Sequence, residues 1–401
     1  MELSTFLNHP VTQGAVSELI DNRPNAADRG YAGAEYLPEV NMDVTEYKRT
    51  VTVLMPSIIA RDVAPLSTGR FGSGVKRQSV GGGLIDSAAH MHYDGEEFEM
   101  FLALIKDLPG ETVRASMPAV AQYLRLTDSH LLTPLDMNKE RKRWTLMGTG
   151  RAWYENNRQD DFKLPPVLNV FDAGQTQVVT QASGKSIYGG ADADFFEDYR
   201  AQVDAAQAAG YPITEAVMHS RTRQQILNLP STKNALGATT LNVVTGGQVE
   251  VQMQQGAATV DAFNAALVAR DLPPVRVYDG YFTDMVHDID DPAGAPGTYV
   301  SRSYVPVGRV ILIPRADVSL DFMPAEPTMP QRVLTPFTSQ RRVGIHVIGR
   351  PTGQSNGPRT YVFGPNYHPG VDPNLDGDSL VSHMPFLHVP AGFRVLEYQQ
   401  A

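Results

Sequence analysis

The 401-residue sequence contains no cysteine. That excludes disulfides, iron–sulfur clusters, thiolate zinc sites and cysteine nucleophiles together, and leaves His, Asp and Glu as the ligands for any metal. A basic excess is missing too: 34 Lys and Arg face 44 Asp and Glu, a formal charge of -10. Proteins that neutralise phosphates concentrate cations, so binding to nucleic acid through phosphate contacts is not expected. Long apolar runs are also lacking. The most apolar windows, Val310 to Pro314 and Ala262 to Val268, are far shorter than the ~20 residues of a bilayer span. The opening stretch MELSTFLNHPVTQG carries neither a charged leader nor an apolar run of signal length, so a product made and kept in a cytoplasm is expected.

What remains is an ordinary globular composition, 42% hydrophobic and 19% charged, in a chain long enough to bury one large core or several modest ones. Residues 1 to about 50 hold no apolar period and read as an extended arm. TVTVLMPSII from Thr50 reads as a strand, and the glycines from Gly69 to Gly83 punctuate a long loop. Thr133-Pro134-Leu135-Asp136 has the form of a helix start, with a hydroxyl cap, proline at the first position and a carboxylate at the third. The helix it opens is so charged through MNKERKRWTLM that only Leu132, Leu135, Trp144 and Met147 form an apolar stripe, which suits a helix lying across a surface.

Beyond Pro165 strands and helices alternate. VLNVFD, EAVM and VRVYD read as strands. ADFFEDYRAQVDAAQAAG reads as an amphipathic helix with Phe195, Tyr199, Val203 and Ala206 on one face and Gly210 at its end. Ser220 is expected to cap a short helix stopped by Pro230, and Thr259 to open another. VRVYDGYFTD and YVPVGRVILIP bracket a Gly- and Asp-rich turn, the pattern of a hairpin with a decorated tip. The last eighty residues read as β. The whole is α+β.

Candidate chemistry is sparse. His90, His92 and Asp94 form an H-x-H-x-D cluster that could hold a metal for hydrolysis, but no further ligand motif or β/α repeat surrounds it, and a loop is the simpler reading. Asp372, Asn374, Asp376 and Gly377 copy the first half of a calcium loop, yet His383 stands where the closing Glu belongs and Pro373 interrupts it, which favours a polar turn. GRFGSG and VGGG lack the strand-to-helix setting of phosphate loops. Asp288, Asp290 and Asp291 read as a solvated turn. His219 and Ser220 are adjacent in sequence, poorly placed for a catalytic pair. No catalytic constellation, cofactor site or metal site is expected, and the chain reads as no enzyme.

The order NVFDAG, Asp-led helix ending in Gly, GYPITEAVMHSRTRQQILNLP, RVYDGYFTD and VPVGRVILIP resembles the major capsid protein E family of tailed phages, the lambda type. The resemblance rests on Tyr278, Asp279, Gly280, Pro306, Gly308 and Arg309, and upstream on Glu140, Arg141, Trp144, Leu146, Thr149 and Gly150. It covers about residues 120 to 315. Two positions depart from the family pattern: a frequent Trp before the Asp-led helix is missing, with Tyr188 nearby, and Phe195 stands where Pro is common.

The resemblance implies the HK97-like major capsid fold, with an N-terminal arm over 1–58, an E-loop hairpin over 59–115, a peripheral domain with its spine helix over 116–210, an axial domain over 211–318 and a β-rich return over 319–401. It implies a virion shell protein, assembled in the host cytoplasm from copies of itself into hexamers and pentamers. The shell encloses double-stranded DNA without reading its sequence. Scaffolding, portal and decoration proteins are the expected partners, and Arg70, Lys76, Arg77, Arg141, Lys142 and Arg143 the candidate assembly contacts. A cellular nanocompartment shell of the same fold and a metal-dependent hydrolase using His90, His92 and Asp94 are the alternatives.

Overall fold

The computed structural model describes residues 10–24, 26–54, 75–93, 117–152, 168–180, 186–188, 193–236, 240–244, 250–254, 260–286, 298–315, 318–320, 343–351, 353–354, 357–368 and 374–399. The fold is α+β, and the chain divides into two compact units. The first takes residues 1–47, 81–143 and 345–385; the second takes 48–80, 144–344 and 386–401.

The first unit is built on a five-stranded sheet in the order Glu39–Asn41, Gly344–Gly349, Asn374–Leu387 and Tyr361–His368, with Ile85–Tyr93 also paired to Asn374–Leu387. Gly344–Gly349 is buried at every residue, as a strand covered on both faces must be. Apolar packing is thin. One cluster joins Val16, Met91, Val120, Tyr123 and Leu131, and another joins Leu135, Ile348 and Val381.

Three expectations change in this unit. The arm expected over 1–58 is, in its described part from Pro10, a folded segment: helix Pro10–Asp21, the short helix Gly33–Tyr36 and strand Glu39–Asn41, with Tyr36 and Leu37 fully buried. The helix expected to start at Thr133 instead continues from Met117–Thr127 through a wide π-type turn, Asp128–Leu132, in which the Thr133 N–H donates to the Asp128 carbonyl. A proline removes one backbone donor and crowds the preceding turn, and the wider turn just before Pro134 accommodates both effects. The stretch read as a glycine-rich loop is β structure. Val75–Gly83 is a strand, and Ile85–Tyr93 pairs along all nine residues, from His383 opposite Ile85 to Leu375 opposite Tyr93. Ile85, Ser87 and Met91 are buried while Asp86, Ala88 and His90 are exposed, a strand period that the small residues Ser87, Ala88 and Ala89 leave faint in the sequence. A deletion of 67–91 would therefore remove a sheet strand and could not leave the secondary structure unchanged. The rest of the expected E-loop, 59–74 and 94–115, lies outside the described residues.

The second unit carries a mixed five-stranded sheet in the order Val275–Val277, Ile213–Met218, Arg309–Pro314, Arg394–Gln399, Thr176–Thr180. Helix Phe195–Ala208 lays Phe195, Tyr199, Val203 and Ala206 into its core, as their spacing predicts. Asp194 caps it, accepting from the N–H groups of Phe196 and Glu197, and Gly210 ends it with φ of +87°, a conformation suited to glycine. The aromatic rings Phe195, Phe196, Tyr199 and Phe263 interlock at centroid distances of 5.3 to 6.1 Å. Because this helix shares one core with Ile213–Met218 and Arg309–Pro314, the domain boundary expected at 210/211 falls inside a packed core. Two antiparallel ribbons, Thr240–Val244 with Glu250–Gln254 and Tyr281–Val286 with Thr298–Ser303, complete the unit together with smaller strand pairings.

Candidate functional site

Of the residues that carry the family resemblance, Glu140 and Arg141 belong to the first unit, and Trp144, Tyr278, Asp279 and Gly280 meet in the second around the root of the ribbon Tyr281–Ser303. Trp144 is buried and stacks on Tyr278 at 5.2 Å; Tyr278 stacks on Tyr304 at 6.1 Å, and Tyr304 on Phe282 at 5.1 Å. The four rings form a continuous ladder into the first residues of the ribbon. Gly280 lies between two of them. A Cβ there would come within 2.6 Å of Tyr278 and 2.8 Å of Tyr304, so only glycine lets the rings close while its carbonyl accepts from the Tyr304 N–H.

The other motif residues of this unit each hold a local contact. Asp279 accepts from the Ser220 N–H at 2.8 Å. His219, not Ser220, caps helix Ser220–Asn228: its Nδ1 accepts from the Arg221 N–H at 3.1 Å. Since Nδ1 accepts, Nε2 carries the hydrogen, and it lies 2.7 Å from the Tyr281 hydroxyl. Burial holds the His219 pKa below its ordinary value, Asp279 opposing, in keeping with a neutral ring. Pro306-Val307-Gly308-Arg309 is a turn closed by the Arg309 N–H to the Pro306 carbonyl, with Gly308 at φ +88°. Gly308 donates to Thr222 Oγ1 at 2.8 Å, and a Cβ on it would strike the Tyr398 carbonyl at 2.5 Å. Arg309 pairs with Glu397 at 3.0 Å. Thr149-Gly150 is the helix stop, Gly150 having φ +67° and donating to the Leu146 carbonyl, with Phe171 of NVFDAG packed where a Cβ would stand.

The other predicted residues scatter. His90 Nδ1 lies 2.7 Å from Asp378 Oδ1, a cross-strand pair with both side chains 59% exposed. His92 follows in the same strand, Asp94 lies outside the described residues, and among the described residues no group of three ligands could hold a metal. Of the half calcium loop, Asp372 lies outside the described residues, and Asn374, Asp376 and Gly377 belong to strand Asn374–Leu387, neither a loop nor a turn. Arg70 and the segments GRFGSG and Asp288 to Asp291 are outside the described residues. Lys76 and Arg77 lie in strand Val75–Gly83. Arg141 is half-buried, whereas Lys142 and Arg143 are buried.

That last finding corrects the surface helix. Asp136, Lys139, Glu140, Lys142 and Arg143 are all at least 94% buried. Charges survive there only when paired or hydrogen-bonded; Lys142 donates to Ser87 Oγ at 3.0 Å, and the other four form ion pairs. Arg143 reaches Glu140 at 3.2 Å and Glu39 at 2.8 Å; Lys139 reaches Asp136 at 3.3 Å and Glu39 at 3.5 Å. Arg23 and Arg29 both pair with Asp136. Glu140 also accepts from the Gly33 N–H at 2.7 Å, where any larger residue would displace its carboxylate. Burial pushes Glu39 and Asp136 upward, but the cations outweigh it and hold both carboxylates below their ordinary range. Lys142 and Arg143 therefore serve inside their own chain and are not surface assembly contacts.

Neither a protein-family model nor a curated relative matches the sequence. Among solved structures the chain is similar to a phage-related protein of Bordetella bronchiseptica RB50, with 12% identity over 97% of this chain and 96% of that one and a TM-score of 0.44. It is also similar to the capsid of Myoviridae phage XM1, at 9% identity, 91% and 90% coverage and a TM-score of 0.39. A third is the mature capsid of bacteriophage PhiM1, at 10% identity, 92% and 87% coverage and a TM-score of 0.37. At such identities a functional reading has to stand on the residues themselves.

Proposed function

We propose that the chain is the major capsid subunit of a tailed phage, a structural protein of the HK97-like fold that assembles with copies of itself into hexamers and pentamers of a DNA-filled shell. The observation that carries this reading is the convergence of the motif residues. Trp144, Tyr278, Asp279 and Gly280 fasten the root of a two-stranded ribbon by stacking, a helix-end hydrogen bond and close ring approach, and Gly150, Gly308 and Arg309 hold a helix stop, a turn and an ion pair in the same unit. A lone two-stranded ribbon is marginal in water. This one exposes about half of Tyr281 and over a third of Val300, so it gains burial when copies pack side by side. A net charge of -10 suits a shell that encloses DNA without gripping it. Scaffolding, portal and decoration proteins would be the partners, and the virion its final location.

The experiment is expression of the full chain, alone and with a scaffolding protein, followed by sedimentation and negative-stain microscopy. Rings or closed shells are expected. A monomer at every concentration and salt condition, scaffold present, overturns the reading.

A further inference from the structure

Beneath the charged helix of the first unit lies a second polar group that no ion pair uses. Lys142 Nζ donates to Ser87 Oγ at 3.0 Å; Ser87 Oγ lies 3.0 Å from His383 Nε2; and His383 Nδ1 lies 2.8 Å from His346 Nε2. All four residues are at least 94% buried, and His346 Nδ1 is buried without a hydrogen-bond partner among the described residues. The chain crosses four elements: helix Thr133–Thr149, strand Ile85–Tyr93, and the adjacent sheet strands Asn374–Leu387 and Gly344–Gly349.

The proton count of this chain is limited by geometry. Only one hydrogen fits between His383 Nδ1 and His346 Nε2 at 2.8 Å, so the two rings cannot both be imidazolium while that contact lasts. Lys142 Nζ stands 3.5 Å from His383 Nε2, so an imidazolium at 383 would also face an ammonium. The charged groups around it offer no relief. From the helix come the cations Lys139, Arg141 and Arg143, and the carboxylates Asp136 and Glu140, which are already paired. From strand Glu39–Asn41, Glu39 stands opposite His346 in register but is held by Lys139 and Arg143. Asp86, next to Ser87, is exposed and raises the Lys142 pKa against its burial.

We propose that Lys142, Ser87, His383 and His346 form an acid-sensitive latch, which ties the helix to the sheet of the first unit at neutral pH and opens when a second proton must be taken up. The direction of titration agrees. Burial, then the neighbouring cations, hold both histidines well below the ordinary value of 6.5, and burial with Arg141 brings Lys142 down to about 7. For each group the unfolded chain binds the proton more readily, so stability rises with pH. The lysine contribution is lost as pH falls from 10.5 towards about 7, and the histidine contribution as pH falls below 6.5. The latch thus fails in the acid range, where a subunit outside neutral cytoplasm would meet it.

Hydrogen–deuterium exchange of the full chain at pH 8.0 and 5.5, corrected for the intrinsic rate, tests this. Peptides covering 133–143, 345–349 and 379–385 should lose protection about tenfold or more at the lower pH, while 213–218 and 309–314 in the second unit should not. His346→Gln and Lys142→Met should each cut that loss to threefold or less, and His90→Gln, an exposed histidine of the same unit, should leave it intact. No loss, an equal loss in both units, or a loss unchanged by both latch variants would overturn the proposal. Should neither latch variant fold, the wild-type contrast between the units decides alone.

Discussion

The two units solve the problem of burial in opposite ways. The second has an interior of aliphatic and aromatic side chains in which Phe195, Phe263, Val310 and Leu312 are wholly enclosed. Its helix faces and strands agree with their own hydrophobic patterns. The first unit places Asp136, Lys139, Glu140 and Arg143 where an apolar stripe would normally lie, and satisfies them with Glu39, Arg23, Arg29 and the Gly33 N–H. Apolar burial is non-directional and forgives small shifts. A buried charge network is directional, and removing one member leaves another charge without compensation. The first unit should therefore be the more specific and the less forgiving of the two.

The sharpest way to break this contrast is Arg143→Met, which keeps the length of the side chain and removes its charge. It would leave Glu140, fully buried, and Glu39 short of a partner. A loss of about 3–5 kcal/mol is expected, read from the urea midpoint of the transition that reports on the first unit. Glu140→Gln made in the same chain should recover part of it, since the stranded carboxylate is then neutral. A cost under about 1 kcal/mol for Arg143→Met would mean that the network is ornamental and the two interiors are alike.

The next test lies in the second unit. Leu312→Ala opens a cavity in strand Arg309–Pro314 between Ala216 and Arg394 in register. About 2–5 kcal/mol should be lost, but Leu312→Met should cost under about 1.5 kcal/mol because volume and polarity are kept. If the Met variant were as damaging as the Ala variant, the tolerance attributed to the apolar core would be wrong.

The same contrast explains what could be read in the sequence. In the second unit Phe195, Tyr199, Val203 and Ala206 recur at helical spacing, Gly210 marks the stop, and the strand RVILIP speaks for itself, because each element buries what it displays. Even there His219 escaped as a cap, since a ring nitrogen accepting from a backbone N–H two residues on has no distinctive pattern. In the first unit the signals point elsewhere. MNKERKRW looks solvated because Glu39, Arg29 and Gly33 lie about a hundred residues away in sequence. Thr133-Pro134 imitates a helix start because a π-type turn is not encoded by a recognisable residue type. His346 and His383 are 37 residues apart and lie in strands without a motif, so nothing local announced them.

The smallest effect belongs to the residue that looked most like chemistry. His90 and Asp378 face each other across the pair Ile85–Tyr93 and Asn374–Leu387, both more than half exposed. Water screens such a pair and its side chains give up entropy to form it, so its worth is at most about 1 kcal/mol. His90→Gln keeps a polar side chain in the same cross-strand position and should shift the urea midpoint of the first unit by that amount or less, with bound metal staying at the background of the unaltered chain. Stoichiometric zinc in the unaltered chain, lost with His90→Gln, would show instead that the strand carries a ligand site, and that the polar character of the first unit reaches its surface for a purpose other than packing.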